Sequence, residues 1–323
     1  MRCPSPRRLP GFVLLVLLVL LAWLDGNPSR AADALHDLVA GLAAGETPTP
    51  ILVADGFEFT EGPVADAEGN ILFSDIPAGK IHRWVVPRDR PATSPPFEVE
   101  TWLAPSGNTN GLCFDRNGLL LACQMGEGRR VVAIDPQAKT ITPLAERFEG
   151  KRFNAPNDLW VDANNGIWFT DPAYERTPAD TELDAEAVYF VSPDRTTFSR
   201  VADGFARPNG IVGSPDGLTL YVTDRKAGMT WAFPVLGPGR LGERRKFNDD
   251  GCDGFAIDEY GNLYGTPKAP LVRIWAPDGT IIGAIPLPDS PSNITFGGPD
   301  RKTLFVTVKD KVFALPMKVS GGG

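Results

Sequence analysis

A single short unit recurs six times along this 323-residue chain. The copies are EGPVADAEGNILFSD from Glu61, NGLCFDRNGLLLACQ from Asn110, NDLWVDANNGIWFTD from Asn157, NGIVGSPDGLTLYVTD from Asn209, DGFAIDEYGNLYGT from Asp253 and SNITFGGPDRKTLFVT around Asn293. Each reads as a strand, a tight turn and a second strand. Glycine stands eight residues after the leading polar residue in four copies (Gly69, Gly118, Gly217, Gly261), where a hairpin needs positive φ. The third copy has Asn165-Gly166 at its turn and the sixth has Asp300-Arg301, so both depart from the pattern. Val, Ile, Phe, Trp and Tyr fill the strand positions, as half-buried sheet requires.

The leading residues are 49, 47, 52, 44 and 40 positions apart, the size of a four-stranded propeller blade. A second echo, VADGF at Val53–Phe57 and again at Val201–Phe205, keeps the same offset to Glu61 and Asn209. Helical arrays need apolar residues at 3.6 spacing, and a β-helix needs a shorter period. The repeat therefore predicts an all-β fold, a six-bladed β-propeller with four-stranded antiparallel blades, over residues 51–318. Residues 32–50 read as a lead-in with a short helix over Ala32–Gly45. Pro87–Pro96 and Glu175–Glu182 read as long surface loops, either of which could overhang the central channel.

The first 31 residues follow another rule. Arg2, Arg7 and Arg8 precede an unbroken apolar run from Phe12 to Trp23, too short for an ordinary membrane span, and Ser29-Arg30-Ala31 offers small residues for cleavage. This predicts a signal peptide over residues 1–31 and export to the periplasm or beyond, with an uncleaved membrane anchor as the alternative. The segment holds four arginines against one aspartate, so its removal takes the net charge from −8 to −11. A body so acidic repels phosphate backbones, which argues against nucleic acid as a partner. Three cysteines remain, Cys113, Cys123 and Cys252, an odd number that does not make a disulfide framework. Cys113 and Cys123 do not fall directly opposite each other in the second hairpin.

In a propeller the innermost strand of each blade lines the axis. The six leading residues Glu61, Asn110, Asn157, Asn209, Asp253 and Asn293 should therefore form a ring, and every one offers a hard oxygen. Two carboxylates and several amide carbonyls, without thiolate or imidazole, suit one divalent cation, calcium first, with magnesium and zinc as alternatives. The competing reading is that Asn-Gly, Asp-Gly and Glu-Gly are plain turn dipeptides. Here they open strands, and the turn comes later.

The sequence resembles the senescence marker protein, gluconolactonase and luciferin-regenerating enzyme family of calcium-dependent six-bladed propellers. The resemblance runs from Ile51 to Pro316 and is densest in GKRFNAPNDLWVDANNGIWFTDPAY, residues 150–174, followed by RPNGIVGSPDGLTLYVTD and the EGP triplet at Glu61. It implies metal ligation by Glu61, Asn209 and Asp253, with Asn157 as a further ligand or substrate contact. It also implies metal-dependent hydrolysis of a sugar lactone. Two departures bear on substrate preference. Gln124-Met125 stands where many bacterial relatives have Glu-His, and Ala155 replaces an arginine of the animal lactonases.

Lactone cleavage needs a polarised carbonyl and a delivered water. Asp253 is the expected base, and Asp158, adjoining Asn157, is its rival; otherwise Asp158 would be a strand-capping carboxylate. Asn110, Asn154 and Lys151, with Arg152, are candidate substrate contacts, although exposed basic residues are usually plain solvated surface. Asp75, Asp171 and Asp224, which end second strands as Ser-Asp or Thr-Asp, read as turn and edge residues. With only His36 and His82 in the chain, no Ser-His-Asp constellation is available. Phosphotriester or fluorophosphate hydrolysis is a second reading, and a non-catalytic, calcium-stabilised binding propeller a third.

Overall fold

A computed structural model describes residues 49–322 apart from 175 and 178, and these form strands and turns with no helix. The expected signal peptide and the helix over Ala32–Gly45 lie outside the described residues. Six antiparallel sheets follow one another along the chain as the blades of a propeller. Their innermost strands are Thr60–Ala65, Thr109–Phe114, Leu159–Val161, Pro208–Gly213, Phe255–Ile257 and Asn293–Gly297. Each is followed outward by the second strand of its repeat: Ile71–Asp75, Leu120–Gln124, Ile167–Asp171, Thr219–Asp224, Leu263–Gly265 and Thr303–Val308.

The blades hold together through what lies between them. Side chains alternate across each strand, so both faces of a blade present apolar groups to its two neighbours. Phe153, Leu159 and Phe169 of the third blade pack with Leu121, Val131 and Ala133 of the second. Trp168 and Phe190 on the third blade's other face meet Ile211, Leu220 and Phe233 of the fourth. Trp84, Trp168 and Trp275 are fully buried in such inter-blade layers. The fourth blade is the irregular one: its third strand, Met229–Gly237, pairs with both Arg240–Leu241 and Arg245–Asn248.

Closure uses the start of the described chain. Ile51–Asp55 is the outermost strand of the sixth blade, pairing with Lys311–Pro316 (Ile51 opposite Ala314, Asp55 opposite Lys311). The first and last parts of the propeller thus share one sheet.

The six hairpin turns obey one rule more strictly than the sequence suggests. The residue eight positions after each ring residue has positive φ in every blade: Gly69 (85°), Gly118 (84°), Asn165 (69°), Gly217 (70°), Gly261 (81°) and Arg301 (56°). The two apparent departures therefore keep the same backbone with asparagine and arginine in the left-handed region. Cys113 faces Leu121 across its hairpin, and all three described cysteines are free thiols. His82 lies on the third strand of the first blade, Lys80–Val85, against Phe57 and Phe73. Burial lowers its pKa.

Candidate functional site

All six ring positions sit at or just before the start of an innermost strand, and those starts crowd together. A Cβ built on Gly111 would stand 2.7 Å from the Asn157 carbonyl oxygen, and one on Gly210 would stand 2.6 Å from that of Asp253. The glycine after a ring residue is thus demanded by contact with the next blade, which disposes of the turn-dipeptide reading. Hydroxyls from the second strands fix the ring carbonyls from behind. Ser74 Oγ donates to Asn110 O (2.6 Å) and Thr170 Oγ1 to Asn209 O (2.8 Å), each across a blade boundary.

The side chains then sort themselves by how their polar atoms are used. Asn209 Nδ2 donates to Asp253 Oδ1 (2.7 Å) and to the Tyr174 hydroxyl (2.8 Å), which leaves its carbonyl oxygen available. Asn157 and Asn110 turn their amide nitrogens toward the Met125 thioether, at 4.0 and 3.2 Å. Asn110 Oδ1 is buried with no partner. Glu61 Oε2 accepts from its neighbour Gly62 N and from Asn293 Nδ2, both at 2.9 Å. Asn293 is different, because its Oδ1 accepts from Ile294 N (2.8 Å), so both ends of its amide are engaged.

Electrostatics point the same way. Burial, and then the charge of Asp253, push Glu61 up to about 8. Burial pushes Asp253 up to about 6, against the Arg225 guanidinium and the Asn209 amide, which pull it down. Arg225 Nη2 reaches Asp253 Oδ2 at 2.9 Å, so it compensates one of the two carboxylates. An uncompensated buried charge costs about 3–5 kcal/mol. Two buried carboxyls, the ring amides and the orphaned Asn110 carbonyl make a donor set whose chemistry fits a hard divalent cation, which Glu61, Asn157, Asn209 and Asp253 would hold.

Asp158 adjoins that set: its charge acts on Glu61, the charge of Asp253 acts on it, and Asn293, which bonds Glu61, also bonds its carboxyl. Its carboxyl and Asn293 line a channel cavity of about 760 Å³ that continues past Leu112, Ile211 and Phe255 to the hairpin-turn residues Asp66 and Asp115. Burial raises Asp158 to about 7, opposed by hydrogen bonds from the backbone of Leu159 and Ile211. Asn154 is buried, with Nδ2 donating to the carbonyls of Asp171 (3.3 Å) and Ala185 (3.1 Å) and Oδ1 unpartnered. Lys151 is exposed on a two-stranded hairpin formed by Arg147–Phe148 and Lys151–Arg152. Arg152 Nη2 donates to the Glu127 carbonyl there (3.0 Å).

Connections between second and third strands carry the residues that the repeat pattern did not single out. Tyr174 and Arg176 come from the third blade's long connection between Ile167–Asp171 and Ala187–Val191. Tyr174 bonds Asn209, with Arg207 stacked on its ring at 4.7 Å, and Arg176 ties the connection to the carbonyls of Met125 and Gly126. Met125 and Arg225 occupy the corresponding connections of the second and fourth blades. Their common signal is position, directly or shortly after each second strand. The Pro87–Pro96 loop lies at the hairpin end instead, where Arg88 donates to the Glu68 carbonyl.

Residues 59–310 match the SMP-30/Gluconolactonase/LRE-like region. The chain belongs to that family. It is 31% identical to a gluconolactonase of Zymomonas mobilis subsp. mobilis, covering 84% of this chain and 83% of the relative. It is 28% identical to the diisopropyl-fluorophosphatase of Loligo vulgaris, covering 79% and 87%. Among solved structures, a gluconolactonase from Xanthomonas campestris superposes with a TM-score of 0.75 at 32% identity, covering 86% of this chain and 92% of that one. The family's propeller is thus present across nearly all of the described chain.

Proposed function

We propose that this protein is a gluconolactonase-like lactone hydrolase whose active site is the cation-binding ring at the channel mouth. The observation that carries the reading is the pair of buried, mutually repelling carboxyls Glu61 and Asp253 in a ring of amides, with Asn110 Oδ1 buried and unpartnered in the same ring. The similarity to gluconolactonases of two bacteria over more than four-fifths of the chain supports the substrate class.

Glu61, Asn157, Asn209 and Asp253 would hold a divalent cation, calcium by the character of the donors, which when bound would supply Lewis-acid polarisation of a carbonyl and compensation of negative charge on its oxygen. The protein's own groups do the rest. Asp253 takes the proton of the attacking water; Asn209 holds one of its oxygens and Arg225 the other, which keeps the carboxylate oriented and ionised near neutral pH. Tyr174 keeps its own proton, because burial and the nearby Asp253 charge raise it to about 12, and it donates that hydrogen to a sugar oxygen. Asp158, which lines the channel cavity beside the ring and feels the Asp253 charge, is the rival base. The similarity to a fluorophosphatase favours phosphotriester hydrolysis as the second reading. Export is part of the proposal, carried by the apolar run from Phe12 to Trp23.

Turnover of aldonolactones, aryl esters and phosphotriesters by chelated and calcium-loaded protein tests it. Aldonolactone hydrolysis should vanish on chelation, return with calcium, and fall at least ~100-fold in Glu61→Gln. Hydrolysis indifferent to chelation, or confined to phosphotriesters, would overturn the reading.

A further inference from the structure

Three buried carboxylates repeat one bonding pattern behind the ring. Asp171 accepts from the backbone N–H groups of Asn154 (2.9 Å) and Ala155 (2.8 Å), the third and second residues before Asn157. Asp224 accepts from Ala206 (2.8 Å) and Arg207 (2.9 Å), the third and second before Asn209. Asp75 accepts from Glu58 (3.1 Å) and Phe59 (3.0 Å), the third and second before Glu61. Each carboxylate ends a second strand and is almost wholly buried. Asp75 and Asp171 are thus not the turn and edge residues that the sequence suggests, while Asp224 also serves its own turn by accepting from Ala227 N (3.1 Å).

The pattern covers three of the four proposed ligands. The equivalent positions in the other blades are Gln124, Pro267 and Val308. Gln124 reverses the polarity, donating from Nε2 to the Ser106 carbonyl (2.7 Å). Of the blades without a clamp, only the fifth supplies a proposed ligand, Asp253. That residue is held by Arg225, the neighbour of Asp224, so one dipeptide serves two ligands.

A backbone that must bring an oxygen to a fixed point needs its approach held, and a carboxylate accepting two N–H groups holds three consecutive atoms' worth of direction. Pro156 and Pro208, directly before two of the ring residues, have no N–H to contribute, which leaves the two upstream groups as the ones to grip. We propose that Asp75, Asp171 and Asp224 are positioning residues for the cation site, each fixing the approach of one ligand: Glu61, Asn157 and Asn209. The inference rests on the ring being a cation site.

The test is calcium affinity by calorimetry on metal-free protein, at a temperature where circular dichroism shows every variant folded. Asp75→Asn, Asp171→Asn and Asp224→Asn keep the shape and replace one acceptor oxygen by a donor. Asp162→Asn is the control. That buried carboxylate belongs to the same blade as Asp171 but accepts from Asn164 N, Gly166 N and Trp168 Nε1 at the opposite end. Each clamp variant should bind calcium about 10–100-fold more weakly, while Asp162→Asn melts earlier with its affinity unchanged. Three separate clamps keep the test open if one variant does not fold. Earlier melting in all four with calcium affinity undiminished would make the clamps merely structural and overturn the inference alone. An unaltered chain that binds no calcium would overturn the metal reading and this inference with it.

Discussion

Asn209 shows how little freedom a ring residue has. Its two amide hydrogens go to Asp253 and Tyr174, its backbone carbonyl to Thr170, and its approach is held by Asp224 through Arg207, so its side-chain oxygen has one direction left. The same confinement raises Glu61 and Asp253, and this has a sign. In the folded, metal-free protein both carboxyls hold protons at pH values where the unfolded chain has lost them. Their contribution to stability is complete below the ordinary carboxylate values and is lost as pH rises through about 6 and then about 8. A cation that requires both ionised must displace protons when it binds near neutral pH. Calcium calorimetry near pH 7 should therefore give a heat that changes with the ionisation enthalpy of the buffer, and an affinity that grows up to about pH 9. Buffer-independent heats and a flat affinity would contradict that picture.

The ring residues were legible in the sequence because they repeat, and repetition is visible without structure. Tyr174 and Arg225 were not singled out, and Met125 only as a departure from the relatives' Glu-His, because connections between strands differ in length and composition from blade to blade. Asp75, Asp171 and Asp224 were visible as Ser-Asp or Thr-Asp endings, where a carboxylate most often serves its own turn, as Asp224 also does through Ala227. Only the fold shows them reaching back sixteen to eighteen residues.

Among the elements, Ile51–Asp55 carries the most consequence for its size. Val53 sits in the layer formed by Phe73, Trp84 and Phe305, so this outer strand packs the first blade against the sixth as well as completing a sheet. Its place could have been read from the VADGF echo. In the second copy, Val201 and Ala202 end the outermost strand of the third blade, Phe198–Ala202, just before the ring residue of the fourth. By the same offset, Val53 belongs to an outermost strand just before the first ring residue, and only the sixth blade has that vacancy. A chain beginning at Glu58 should melt roughly 10 °C or more below one beginning at Thr49, since each kcal/mol is worth about 2–4 °C in a domain of this order. Equal melting temperatures would show that the latch contributes nothing. The hairpin turns teach a related lesson: glycine announces a left-handed residue, but Asn165 and Arg301 adopt that backbone without announcing it.

Across the whole molecule, six near-equivalent blades bring one backbone position to one axis and then differ in what that position holds. Closure between the first and sixth blades makes the ring a property of the complete propeller, because Glu61 bonds Asn293 across that seam. The mouth carries Tyr174, Asp253 and Arg225, and a channel cavity lined by Asp158 among others runs from the ring toward the hairpin turns. The proposed chemistry belongs to the mouth, where two buried carboxyls, Glu61 and Asp253, share one ring with amide oxygens. A crystal structure of the protein grown with saturating calcium tests that assignment most directly. The account predicts one calcium ion about 2.3–2.6 Å from side-chain oxygens of Glu61, Asn157, Asn209 and Asp253. A ring containing only water under those conditions, or a calcium ion bound solely elsewhere, would contradict it.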